Sequence, residues 1–174
     1  IFNRSQFNPR QEWMDFLETL ANQAAIAIDN ITMFNNLERS NLAMRQAYNA
    51  IIEGWAKALE LRDHETEGHS RRVVQYTLKI ARKMGIKDEK LTQIRQGALL
   101  HDIGKMGIPD AILQKPGKLT KDERKVMQQH PLFAYQLLSS VDYLKPALEI
   151  PYSHHEKWDG SGYPQRLKGK EIPL

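Results

Sequence analysis

The stretch FNNLERSNLAMRQAYNAIIEGWAKA, residues 34–58, places Phe34, Asn41, Tyr48 and Trp55 at one position of a seven-residue repeat and Leu37, Met44, Ile51 and Ala58 at another. Apolar side chains at this spacing form one stripe on an α-helix, and a sustained 3.5-residue period marks a seam between two coiled helices. Asn41 stands at a core position of the seam, where a polar side chain fixes register and two-stranded pairing at some cost in stability. The seam lies within a longer helical run, because over residues 10–61 the only Gly or Pro is Gly54 and apolar residues keep helical spacing throughout. Residues 13–30 are apolar over a wider arc than a two-stranded seam needs, so this part of the helix is expected to cover something else.

Beyond Leu61 the texture changes to shorter helices with clear punctuation. A helix is expected over 69–84, ended by Gly85, and another over 88–100 with Asp88 as its cap, running into His101-Asp102. Thr120 and Glu123 form a capping box for a helix reaching His130, and Pro131 starts the next. Residues 132–139 and 143–150 are further short helices, 151–156 carry the pair His154-His155, and 159–164 form a Gly-rich loop. No alternating strand pattern appears, so the expected fold is all-α, a helical bundle preceded by a long coiled-coil helix.

Composition agrees. The 174 residues are 41% apolar and 26% charged, which describes a soluble globular chain, and only four are Val. Cys is absent, which removes disulfides and thiolate ligands and suits a reducing cytoplasm. No stretch approaches the roughly 20 apolar residues of a membrane span. The net charge of +4 is spread without aromatic interleaving, so a solvated surface is expected rather than binding to a nucleic acid polymer. The start at Ile1 and the stop at Leu174, directly after a Gly-rich loop, read as the cut ends of a fragment.

Five of the six His residues fall where chemistry is expected, and His64 reads as an ordinary surface residue. Glu65 and His69 are four apart and would share a helix face. His101 and Asp102 are adjacent, so on a regular helix they would diverge by about 100 degrees and touch different cations or opposite sides of one. A carboxylate there can bridge two metals about 4 Å apart. His130 and His154-His155 supply three more nitrogens. This nitrogen and oxygen set suits Fe, Mn or another octahedral divalent ion better than a Cys-rich structural zinc site. Lys105, three residues after the bridging carboxylate, is placed to stabilise a phosphate.

His101-Asp102-Ile103-Gly104-Lys105 together with His154-His155-Glu156-Lys157-Trp158-Asp159-Gly160-Ser161-Gly162-Tyr163-Pro164 resembles the HD-GYP family of metal-dependent phosphohydrolases, which hydrolyse the bacterial second messenger cyclic di-GMP. The resemblance covers residues 59–174 and includes Arg62-Asp63, Thr66, Gly68-His69-Ser70, Gly107-Ile108-Pro109 and Lys118-Leu119-Thr120. It implies His69, His101, Asp102, His130, His154 and His155 as metal ligands, with Asp102 bridging, and Glu65 as the ligand of a third metal. Lys105 would contact the scissile phosphate. Gly162, Tyr163 and Pro164 would form the loop beside the ligand, Tyr163 lying near a guanine. Residues 20–30, Leu-Ala-Asn-Gln-Ala-Ala-Ile-Ala-Ile-Asp-Asn, resemble the last helix of a GAF sensory domain.

These readings divide the chain into a GAF-like end over 1–33, a coiled-coil linker over 34–61 and a phosphohydrolase domain over 62–174, with cyclic di-GMP as ligand and a second copy of the chain as partner. The family carries a further metal-binding Asp and phosphate-binding bases on a helix after the loop, which would lie beyond Leu174, and usually has Gly where this chain has Arg166. Three other functions fit parts of the pattern. Another HD phosphohydrolase would explain His101-Asp102 but not the loop, a related cyclic dinucleotide such as cyclic GMP-AMP would fit all of it, and a non-catalytic module would use the loop to bind a partner.

Overall fold

In the computed structural model, described over residues 9–63 and 68–173, every regular element is helical and no strand occurs among the described residues. Helix α1, Gln11–Asp63, runs for 53 residues. Nothing in its sequence interrupts the ladder, since Pro is absent and Gly54 alone costs only about 1 kcal/mol in a helix interior. By compactness the chain divides into residues 1–48 and 49–174.

In the first unit every residue of α1 over 11–48 is exposed, including Phe34, Leu37 and Met44 of the heptad stripe. The second unit contains the rest of α1, then α2 (His69–Lys83), α3 (Asp88–Leu99), a 3-10 helix (Ile103–Gly107), α4 (Asp110–Leu113), α5 (Lys121–Met127), α6 (His130–Ser139), a second 3-10 helix (Asp142–Ala147), α7 (Glu149–Ser153) and a last 3-10 turn (Gly169–Glu171). Here α1 buries Ile52, Ala56 and Leu59, while Ile51, Trp55 and Ala58 of the heptad stripe stay exposed on another face. Those three buried positions, spaced four and three apart, are the apolar face that meets the domain's own core.

That core joins Ile52 and Ala56 to Val74, Ala98, Leu99, Leu100, Ile103, Ala134, Leu138 and Leu144. Fully burying one such leucine is worth about 1.5–3 kcal/mol. A smaller cluster of Ala81, Leu91 and Ile94 seals α2 against α3. Gly104 decides how closely the 3-10 helix lies on α6, because a Cβ there would overlap the carbonyl oxygen of His130 and the nitrogen of Ala134. Any side chain at position 104 would push Asp102 and Lys105 away from His130.

Several boundaries differ from the sequence-based expectation. Lys87, not Asp88, caps α3 and makes no side-chain bond; Asp88 is in the first turn, where its charge meets the positive end of the helix dipole. The Thr120–Glu123 capping box is present with both of its bonds. The helix expected to reach His130 stops at Met127, and His130 instead opens α6 with Pro131 in the first turn. Pro131 has no N–H to return to the preceding turn, which breaks the ladder there. The helix expected over 143–150 is a 3-10 helix followed by α7. At the start of α2, Gly68 adopts a left-handed φ of 73° and offers no capping side chain. The Glu60 carboxylate of α1 takes that role by accepting from the Ser70 amide at 2.9 Å. Burial would raise the Glu60 carboxyl, but bonds from Ser70 and Gly68 outweigh it and hold it below its ordinary value.

Candidate metal centre

His101 and Asp102 do not ride on α3. They occupy the turn after it, with Asp102 beginning the 3-10 helix, and their side chains converge instead of diverging as they would on a regular helix. His101 Nε2 lies 3.0 Å from Asp102 Oδ2. The same oxygen is 3.0 Å from Lys105 Nζ. Asp102 Oδ1 faces His130 Nε2 at 3.3 Å and His154 Nε2 at 3.5 Å. One carboxylate thus meets three imidazoles and an ammonium brought from α6, α7 and the turn after α3.

Each of these imidazoles is oriented the same way. Nδ1 of His101 bonds the Ala98 carbonyl at 2.9 Å, Nδ1 of His130 the Met127 carbonyl at 2.8 Å, and Nδ1 of His154 the Pro151 carbonyl at 2.9 Å. A carbonyl only accepts, so Nδ1 carries the proton and a neutral ring keeps its lone pair on Nε2. Nε2 of His130 and Nε2 of His154 then stand 3.2 Å apart beside the carboxylate. Lone pairs that close repel unless a cation stands among them, and backbone bonds of this kind orient metal-ligating histidines. His155 joins the group: Asp102, His130, His154 and His155 each offer a ligand atom within 4.8 Å of the others. The donor set fits a divalent cation that accepts nitrogen and oxygen ligands.

With no cation between them, rings that already donate through Nδ1 can meet the carboxylate only as doubly protonated donors. Burial would raise the Asp102 carboxyl, but bonds from His101, His130 and His154 overcome it and hold it far below the carboxylate range. Burial opposes charge on His101 too, yet the bond to Asp102 raises it overall. Burial, followed by the neighbouring His154 and His130, pushes His155 down to about 4. It is therefore neutral near pH 7, the form that binds metal. Lys105 is raised because Asp102 and Asp63 outweigh its burial.

The remaining expected residues fall around this cluster. His69 opens α2 with its ring centre 6.3 Å from that of His101. Glu65 lies outside the described residues. Tyr163 stacks on His155 with ring centres 4.6 Å apart and planes at 22°. Gly162 packs its backbone against Glu156, and Pro164 follows Tyr163 through a cis peptide bond. Asp63, His101, Asp102, Lys105, His154 and Tyr163 are among the residues lining one cavity of about 320 Å³. A larger groove of about 500 Å³, bordered by Glu53, Lys57, Arg71 and Arg95, contains none of these histidines.

Three residues at the site carried no role in the sequence reading. Asp63 Oδ2 lies 2.7 Å from Lys105 Nζ. The Arg62 guanidinium donates to the carbonyls of Lys105, Met106 and Ile108 and to Asp110, fixing the turn that carries Lys105. Glu156 receives backbone N–H groups from the loop after Tyr163. The only signal for them was their place within the matched motifs, since bonds spanning 42 residues leave no periodicity.

An all-helical domain gathered around a His-Asp pair defines a class. The family model of the HD domain matches residues 54–174, and the chain belongs to that family. It is 48% identical over 117 residues to a cyclic di-GMP phosphodiesterase of Thermotoga maritima, a match covering 66% of this chain and 32% of that protein. It is 40% identical over 151 residues to 3'3'-cGAMP-specific phosphodiesterase 2 of Vibrio cholerae, covering 83% of this chain and 29% of that protein. With the cyclic di-GMP phosphodiesterase response regulator RpfG of Xanthomonas campestris it shares 43% identity over 121 residues, 68% of this chain and 32% of that protein. The chain thus spans about a third of the length of these relatives. Among the described residues no helix is long and apolar enough to cross a membrane.

Proposed function

We propose that the chain carries the catalytic domain of a metal-dependent phosphodiesterase that hydrolyses cyclic di-GMP, first to pGpG and then to GMP. One observation carries this reading: three backbone-oriented imidazoles turn Nε2 toward the two oxygens of Asp102, with Lys105 on the same cavity wall. His69, His101, Asp102, His130, His154 and His155 would hold two metals, and Glu65 would serve as a ligand for a third. Divalent iron or manganese, if bound by these residues, would supply a Lewis acid for a phosphoryl oxygen and lower the pKa of water. Hydrolysis joins a water oxygen to phosphorus and breaks the bond to the 3'-oxygen, which leaves with a proton. Lys105 contributes fixed positive charge where the phosphoryl oxygens gain negative charge. Tyr163 offers a ring face to a base.

The similarity to a 3'3'-cGAMP-specific enzyme over 83% of the chain favours a second substrate within the same reaction. In either case we read 62–174 as the phosphohydrolase domain, 34–61 as a linker whose last turns pack into that domain's core, and 1–33 as the end of a GAF-like sensor, with the exposed heptad stripe pairing two copies. Asp102→Ala is the test, with metal content read by mass spectrometry and products by chromatography after incubation with each cyclic dinucleotide. The variant is expected to lose most bound metal and all turnover. Turnover retained with metal still bound would sink the assignment.

A further inference from the structure

Glu156 follows the second His pair directly, yet its carboxylate faces the loop rather than the histidines. Oε1 accepts from the amides of Gln165 at 2.7 Å and Arg166 at 3.1 Å, and Oε2 accepts from the amide of Leu167 at 3.0 Å. Three consecutive N–H groups thus converge on one charged acceptor, the stronger kind of hydrogen bond. The loop meets Glu156 a second time before Tyr163, where a Cβ at Gly162 would come within 2.5 Å of Glu156 Cα and 2.6 Å of the His155 carbonyl oxygen. The Tyr163 amide also donates to that carbonyl at 3.3 Å. Tyr163-Pro164 is therefore held by the His155 carbonyl before it and the Glu156 carboxylate after it, with the Tyr163 ring laid on His155.

Arg166 shows what the carboxylate overcomes. It holds a φ of 60°, a left-handed conformation that side-chain-bearing residues rarely adopt, and its N–H in that conformation points at Glu156.

We propose that Glu156 is the positioning residue that holds the Gly162–Pro164 loop over the metal centre and so sets how tightly the dinucleotide is held. This rests on the phosphodiesterase reading. Glu156 touches neither metal ligand atoms nor reacting atoms; it acts through the backbone of the loop and the Tyr163 ring. Removing it loosens a wall that contacts substrate and transition state alike, so the loss falls on KM rather than kcat.

The test compares the metal-loaded, full-length wild-type protein with its Glu156→Gln and Glu156→Ala variants. Gln keeps the volume and one acceptor oxygen but turns an NH2 toward the Leu167 amide, so it should lie between the other two. Expected for Glu156→Ala are unchanged metal content, a KM for the cyclic dinucleotide raised by about tenfold or more and kcat within about threefold of wild type. Hydrogen exchange of the amides at 165–167 should be about tenfold faster. Arg166→Gly placed in Glu156→Gln should recover part of the KM, because Gly adopts the left-handed conformation without the carboxylate. Unchanged exchange in Glu156→Ala would overturn the clamp whatever the activity, and faster exchange with an unchanged KM would overturn its role in holding substrate. If the wild type turns over no cyclic dinucleotide, the phosphodiesterase reading fails, and exchange alone then decides whether Glu156 holds the loop.

Discussion

The two lengths of α1 are built from the same kind of sequence and do opposite things. Over 11–48 every residue is exposed, apolar ones included. Over the last turns Ile52, Ala56 and Leu59 are buried, and three of the final four residues hold other parts of the domain. Glu60 caps α2 at Ser70, Arg62 gathers the carbonyls of Lys105, Met106 and Ile108, and Asp63 pairs with Lys105. Helical periodicity alone says that a face is apolar. What the face is for depends on side chains at its end that follow no period.

The sharpest way to break this comparison is truncation at matched positions. Ile52→Ala should cost about 2–5 kcal/mol in urea unfolding, because it empties a core site that is only partly able to collapse. Ile28→Ala, on the exposed length, should stay within about 0.5 kcal/mol. Equal losses would mean that the two lengths do not differ as described. Arg62→Lys should cost about 1.5–3 kcal/mol, since a single ammonium cannot reproduce a guanidinium bonded to several acceptors at once. The same variant should lower turnover while metal content stays near wild type, as mass spectrometry would report.

A smaller effect separates the site from the rest of the domain by pH. His155 is pushed down from an ordinary 6.5 to about 4, so the folded chain resists its protonation while the unfolded chain does not. Stability from this ring is present above pH 6.5 and drains away as pH falls toward 4. His101, raised by Asp102, contributes with the opposite sign: its share is present below the ordinary value and is lost as pH rises through its folded value. In metal-free protein His155→Gln should flatten the acid side of the stability profile, and an unchanged slope would count against burial as the cause. The least effect on the domain's stability is expected from Leu37→Asp in the heptad stripe. It should convert a dimer to a monomer in sedimentation while the unfolding midpoint of the domain holds.

Sequence reading reached the all-helical fold because the signals were local. A run interrupted only by Gly54, the Thr120–Glu123 box and the stop at Gly85 each act within one or two turns. It misplaced His130 and the relation between His101 and Asp102, because both depend on where a helix ends, which Pro131 and the 3-10 turn decide together. The gathering of Asp102, His130, His154 and His155 was legible through chemistry and resemblance. Asp63, Arg62 and Glu156 were not, since each acts on a partner that only the folded chain brings near, Asp63 across 42 residues of sequence and Glu156 through main-chain amides that have no sequence signature.

The backbone bonds made by Nδ1 of His101, His130 and His154 run in each case to the carbonyl three residues earlier. On its Nδ1 side each ring is therefore aimed by its own turn of chain, while Asp102 alone meets all three on the other side. A site assembled this way is modular. Replacing one imidazole would therefore leave in place the backbone bonds that aim the other two.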